Sequence, residues 1–174
     1  MNQALLTATA QADTIVYGES LPDFQYKLDG FVYNEDESVL TKLPVASSNA
    51  SAKADAGTYQ VSVEGGEADN YRFQYIPADF IVLKKAITGK VGTLNRIYGA
   101  ANPTAKDVLS TVVYSGLAND DQNPGEIAEA TVVTTATTES ATGIYDISLT
   151  ATESQNYELE YLAGTLTIEK APLQ

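Results

Sequence analysis

The chain has 174 residues, 44% of them hydrophobic, which is enough to bury a core and too many for a disordered segment. It contains no Cys, His or Trp, which excludes disulfides, thiol nucleophiles, Cys/His zinc sites and histidine acid–base chemistry. With 10 basic and 23 acidic residues the net charge is -13, which argues against nucleic acid or an anionic membrane as a partner, since phosphate contacts need Lys and Arg.

The first residues, Met1 to Leu6, carry no basic stretch and no long apolar core, so they do not read as a signal peptide. No run approaches the ~18–20 apolar residues of a membrane span, so no membrane insertion is expected in this segment. Next come Tyr17-Gly18, where the glycine permits a positive-φ corner, and Gly30-Phe31. An acidic turn, Asn34-Glu35-Asp36-Glu37, follows. Ser47 to Gly57 is rich in Ala and Ser without an apolar stripe, and is expected to be a loop leading into a strand. Tyr59, Val61 and Val63 alternate with Gln60, Ser62 and Glu64, and Tyr71, Phe73 and Tyr75 alternate with Arg72 and Gln74. This period of two predicts strands apolar on one side and wet on the other.

The pattern then recurs. Gly57-Thr58-Tyr59 returns 86 residues later as Gly143-Ile144-Tyr145, and Asn70-Tyr71 returns as Asn156-Tyr157. Ala78 to Lys84 returns as Gly164 to Lys170, and Gly30-Phe31 as Gly116-Leu117. Tyr17-Gly18 returns as Tyr98-Gly99, 81 residues later, so the second copy carries about five extra residues before Gly116. The period exceeds the ~20–50 residues of solenoid units, so two tandem domains are expected, 1–85 and 86–174. Within the second copy a strand is expected around Ala130 to Val133, followed by a Thr-rich loop, and no long segment carries a helical stripe. The expected fold class is all-β or mostly β: two small antiparallel β domains, read as immunoglobulin-like sandwiches, with curved sheets of the β-grasp sort as the alternative.

The ordered set of blocks, seen twice, resembles the MBG domain of the YGX type. Tyr17-Gly18, Gly30-Phe31, Gly57-Thr58-Tyr59, Asn70-Tyr71 and Phe80 to Lys84 carry the resemblance, with their second-copy counterparts Tyr98-Gly99, Gly116-Leu117, Gly143-Ile144-Tyr145, Asn156-Tyr157 and Gly164 to Lys170. Ala78 departs from the pattern, standing where the second copy has Gly164. The resemblance implies an extracellular module in bacterial surface, adhesin-like proteins. It carries no catalytic residues to transfer.

Most of the 11 Tyr lie on the apolar phase of their strands and are expected in the core; an exposed row would instead suit a glycan. The residues expected to hold the fold are Tyr17, Gly18, Tyr59, Tyr71 and Phe73, with Tyr98, Gly99, Tyr145 and Tyr157. The acidic turns Asn34-Glu35-Asp36-Glu37 and Asp120-Asp121-Gln122-Asn123 read as solvated hairpin turns, with a weak Ca2+ site as the alternative. Carboxylate pairs are abundant but none is singled out for glycosidase chemistry, so no enzyme and no resident cofactor is expected. The functional expectation is a stalk or spacer at a bacterial cell surface, read as a piece of a longer protein whose signal and anchor lie elsewhere, with neighbouring repeats as its partners. The alternatives are a module binding glycan or host glycoprotein through second-repeat loops, with Pro103 to Asp107 the place to look, and an auxiliary domain of a secreted glycosidase.

Overall fold

The computed structural model describes residues 2–173. The chain divides into two compact units, Met1–Leu83 and Lys84–Gln174. Among the described residues the first holds seven strands: β1 (Ala4–Ala10), β2 (Asp13–Val16), β3 (Tyr26–Asp29), β4 (Val45–Ser48), β5 (Gly57–Glu64), β6 (Tyr71–Ile76) and β7 (Ala78–Leu83), with a 3-10 turn at Glu37–Val39. They form two sheets, ordered β3-β1-β6 and β2-β7-β5-β4.

The second unit repeats the plan with additions. It has β8 (Lys85–Lys90), β9 (Thr93–Ile97), a short helix α1 (Ala105–Leu109), β10 (Val113–Ser115), β11 (Val132–Thr134), β12 (Gly143–Leu149), β13 (Thr152–Glu153), β14 (Tyr157–Leu162) and β15 (Gly164–Glu169). The sheets are β10-β8-β14-β13 and β11-β12-β15-β9.

Alternation decides which side chains enter each core. In β5, Val61 and Val63 are buried while Gln60 and Glu64 are exposed; Tyr59 and Val61 sit opposite Phe80 and Ala78 of β7. In β1, Leu6, Ala8 and Ala10 are buried, and Leu6 lies beside Phe73 of β6. The second core gathers Val91, Val108, Ile147, Leu149, Leu166 and Ile168. Burying a side chain of this size contributes ~1.5–3 kcal/mol relative to leaving it in water, so the inward phase of each strand outweighs its weak intrinsic preferences.

The layering is that of a two-sheet sandwich, since β5 packs on β1 and β6, and β12 packs on β14. Most pairings are antiparallel, as expected. The exceptions are systematic: β1 runs parallel to β6, β2 to β7, β8 to β14 and β9 to β15. A bend explains them. Only Gln11 and Ala12 separate β1 from β2, and only Pro77 separates β6 from β7. Pro77 has no N–H to give a ladder, which suits the break after β6, and Ala163 stands at the same break in the second unit. Two bent strands therefore run side by side through both sheets, and alternation along each strand does not reveal that pairing.

Among the described residues, alpha helix is confined to α1, inside the segment that lengthens the second copy. Five residues are too few to display a period of 3.6, which is why periodicity did not mark it.

Candidate functional site

Two tyrosines in each unit do the same job at matching positions. The hydroxyl of Tyr59 donates to the carbonyl of Asp55 (2.9 Å), and that of Tyr145 to the carbonyl of Ala141 (3.0 Å). Each bond ties the loop before a strand to the strand itself. Tyr71 and Tyr157 are buried and reach back to the acidic turns. Tyr71 Oη accepts from Val32 N (3.1 Å) and donates to Glu35 Oε2 (2.5 Å). Tyr157 Oη accepts from Ala118 N (2.9 Å) and donates to Asp121 Oδ2 (2.6 Å). Burial, then the hydrogen bond to Glu35, raises the Tyr71 phenol above its ordinary range.

The acidic turns are thereby defined. Tyr33 and Asn34 have φ of 55° and 57°, and Asn119 and Asp120 have 54° and 64°. Two successive left-handed residues make a type I′ turn, closed by Glu35 N to Val32 O (3.0 Å) and by Asp121 N to Ala118 O (2.9 Å). Asn and Asp tolerate this region best, which accounts for their presence at three of the four positions.

Of the calcium candidates, Glu35 and Asp121 hold tyrosine hydroxyls. Asp36 caps the 3-10 turn by accepting from Ser38 N (2.9 Å), and those bonds from Ser38 hold its carboxyl below the usual range. Asn34 and Asp120 occupy the left-handed turn positions, and the backbone oxygen of Asp120 accepts from the Gln122 side chain (2.9 Å). Glu37 remains exposed. Among the described residues no three acidic side chains converge on one point. What the turns share is a tyrosine anchor, with one carboxylate of each assigned to it.

The two Tyr-Gly corners have one backbone. Glu19 N bonds Val16 O (3.0 Å) and Ala100 N bonds Ile97 O (3.1 Å), with Gly18 at φ 92° and Gly99 at φ 84°. A positive φ at the third residue is the mark of a type II turn, so the glycine is required. Tyr17 and Tyr98 donate their amides to the carbonyls of Leu83 and Glu169, both 2.8 Å away, fastening the corner to the last strand. The side chains differ: Tyr17 is 6% exposed and Tyr98 is 49% exposed. Tyr98 is therefore not a packed counterpart of Tyr17, and the second unit instead buries Arg96 two residues earlier.

Arg96 stands on the inward phase of β9, at the place of Ile15 in β2. Its Nε donates to Asn102 Oδ1 (2.9 Å) and its two terminal nitrogens to the carbonyls of Ile97 (3.2 Å) and Thr137 (2.5 Å). Asn102 donates in turn to Ala136 O (2.6 Å). The network fastens the lengthened connection to the loop after β11. Sequence reading missed it, although a charged residue at an alternating apolar position was the available signal.

Pro103 to Asp107 is the entry to α1. Thr104 Oγ1 accepts from Asp107 N (3.3 Å) and Asp107 Oδ2 accepts from Thr104 N (2.8 Å), a reciprocal cap. These bonds from Thr104 lower the Asp107 carboxyl, and Val108 behind it is fully buried. The stretch that distinguishes the copies is thus a capped, core-anchored helix whose polar side chains bond each other.

The first unit carries a groove of about 890 Å3 between β3 and the segment around the 3-10 turn. Its wall is formed by Tyr26, Leu28, Phe31, Leu40 and Leu43. No helix among the described residues is long and apolar enough to cross a membrane.

No curated protein matches the chain. The duplicated tyrosine anchors and Tyr-Gly corners coincide with a family match that covers residues 6–81 and again 87–167. On that match the chain belongs to the family described as MBG domain (YGX type), present here as two tandem copies.

Proposed function

We propose that this chain is a load-bearing spacer, a stalk segment of a bacterial cell-surface, adhesin-like protein, rather than an enzyme. The observation that carries the reading is the parallel pairing inside each unit. Chain enters through β1 and leaves through β7, and these belong to the two bent strands that lie parallel. Tension applied at the two ends pulls those strands in opposite directions along their length. All the ladder bonds are then loaded together in shear, instead of being opened one at a time. β8 to β15 repeat the arrangement. The tyrosine anchors support the same reading, because they direct polar groups to the fold's own turns.

Single-molecule pulling tests it. The chain has no cysteine, so handles can be placed at will. Pulled through its two ends, the first unit is expected to resist far more than when pulled through cysteines placed at the exposed positions Thr58 and Leu83, which peel β5 from β7. Equal low forces in both directions would remove the mechanical reading. A glycan and host-glycoprotein array, run with Ca2+ and with EDTA, tests the ligand side. A blank array is expected of a spacer; saturable binding would replace the spacer by an adhesive module.

A further inference from the structure

The groove of the first unit is bordered by an unpaired strand edge. Among the described residues β3 pairs with β1 alone, at the end of its sheet. Gln11 N bonds Gln25 O (2.9 Å) just before β3 begins. Antiparallel pairs alternate, so Lys27 and Asp29 direct their backbone groups to β1, and Tyr26 and Leu28 direct theirs to the free edge. The side chains of the same two residues, Tyr26 and Leu28, line the groove.

The second unit treats this edge differently. Val112, the counterpart of Tyr26, gives its N–H to Leu109 O (3.1 Å) at the end of α1. Among the described residues of the first unit, no helix stands between β2 and β3 to do the same.

The groove's chemistry is one-sided. Leu43 is 48% exposed beside it, an apolar seat in contact with water. Asp36 and Glu37 form its rim, and among the described residues no Lys or Arg lines it. Glu37 is close enough for its charge to add to burial in raising the Tyr26 phenol.

We propose that this groove binds an extended peptide in which apolar residues alternate with lysine or arginine, taken up as an added strand beside β3. The backbone of the peptide satisfies Tyr26 and Leu28, its apolar side chains cover Leu28, Phe31 and Leu43, and its cations meet Asp36 and Glu37. Main-chain bonds supply adhesion and the acidic rim supplies selectivity, since an acidic peptide is repelled there.

The probe is an acetylated eight-residue peptide alternating valine and lysine, titrated into the full 174-residue chain and read by amide NMR. Saturable shifts at Tyr26, Leu28 and Leu40 are expected, with slowed exchange of the Tyr26 and Leu28 amides. Glu37→Gln, at an exposed position, is expected to weaken binding about two- to five-fold, the range of one exposed ion pair. Leu43→Ser is expected to weaken it independently of charge. A peptide N-methylated at alternate residues is expected to lose the slowed exchange. The proposal is overturned if no saturable shift occurs, if a valine–glutamate peptide binds as well, or if the N-methylated peptide binds equally and its shifts spread over the acidic surface.

Discussion

Where the first repeat has Phe73 the second has Leu159, and where the first has Gly66 the second has Thr152. The two exchanges are sterically linked. Phe73 stacks on Tyr75 with ring centroids 5.7 Å apart and planes 6° from parallel. A Cβ on Gly66 would sit 2.7 Å from the Phe73 ring and 2.8 Å from Pro44. Leu159 is smaller, and Thr152 fits beside it. The tyrosine is common to both: Gly66 N donates to Tyr75 Oη (3.0 Å), and Thr152 Oγ1 bonds Tyr161 Oη (3.1 Å). A second layer trades volume in the same way. Leu28 and Tyr75 flank Ala8, whereas Tyr114 and Tyr161 flank Gly89. A Cβ at Gly89 would lie 3.0 Å from the Tyr161 ring and 2.7 Å from Val112. The repeats therefore keep a frame of tyrosine and turn hydrogen bonds and let neighbouring volumes trade inside it, as close packing demands.

The two repeats differ most in what they tolerate at the sheet-crossing bend. Gly164 occupies in the second repeat the place of Ala78 in the first. Its missing Cβ would fall 2.5 Å from the carbonyl oxygen of Val91 and also onto that of Gly92, which is backbone and cannot swing aside. Gly164→Ala is expected to cost about 3 kcal/mol or more, as overpacking against a fixed neighbour does. The reciprocal Ala78→Gly costs about 1 kcal/mol, the ordinary entropy of glycine in a strand. Urea unfolding followed residue by residue with NMR lets each unit report for itself. Similar costs at both positions would show that the two bends are equivalent after all.

Size exchange is the next test. Gly66→Thr alone is expected to cost about 2 kcal/mol through collision with Phe73. Adding Phe73→Leu should return most of that loss, measured as a coupling energy in a double-mutant cycle. Strict additivity would mean that the two differences between the repeats arose independently.

The tyrosine anchors sharpen the comparison from the other side, because there the repeats agree. Tyr157→Phe removes a bond to the Asp121 carboxylate and leaves the Ala118 amide without its acceptor, expected to cost about 1.5 kcal/mol. Tyr71→Phe should loosen the Val32–Glu35 turn to the same relative extent, read from amide exchange at Glu35. Loss in one copy only would show that the frame is not shared.

The smallest effects are those of pH. Hydrogen bonds from Thr104 hold the Asp107 carboxyl below its unfolded value. Its support of α1 is therefore complete above the ordinary aspartate range and is lost as pH falls through the lowered value. Asp36 does the same for the 3-10 turn in the first unit. Tyr114 runs the other way: burial, then the neighbouring Tyr161, pushes its phenol up to about 12. Its contribution is intact below the unfolded tyrosine value near ~10 and fades as pH rises towards 12. An alkaline titration should thus loosen the second repeat at Tyr114, where the first repeat has Leu28 and carries its raised phenols elsewhere, at Tyr26 and Tyr71.

Much of the frame was legible because its signals are local. Tyr-Gly at two places announces a corner that only glycine permits, and both corners form as read. Alternation at Tyr59, Val61 and Val63 names the inward face, and Val61 and Val63 are buried. The Asn- and Asp-rich segments read as turns and are turns. Illegible were the partners: nothing near Glu35 points to Tyr71, and nothing near Asp121 points to Tyr157. Tyr98 misled because its identity matches Tyr17 while its surroundings do not. Arg96 was overlooked because a charge on the inward phase makes sense only once Asn102 and Thr137 are brought beside it.

By itself, then, the sequence determined the duplication, the β character of both halves, the turn positions and the chemistries that the absence of Cys and His excludes. These depend on periods, short-range sterics and composition, which are properties of neighbouring residues. Tertiary structure alone decided that Ala4 lies parallel to Tyr71 and Lys85 to Tyr157, which tyrosine holds which carboxylate, and that the edge of β3 opens on a groove while α1 takes the matching amide in the second unit. Those outcomes depend on how bent strands far apart in the chain fill a common volume, and no local pattern records that volume.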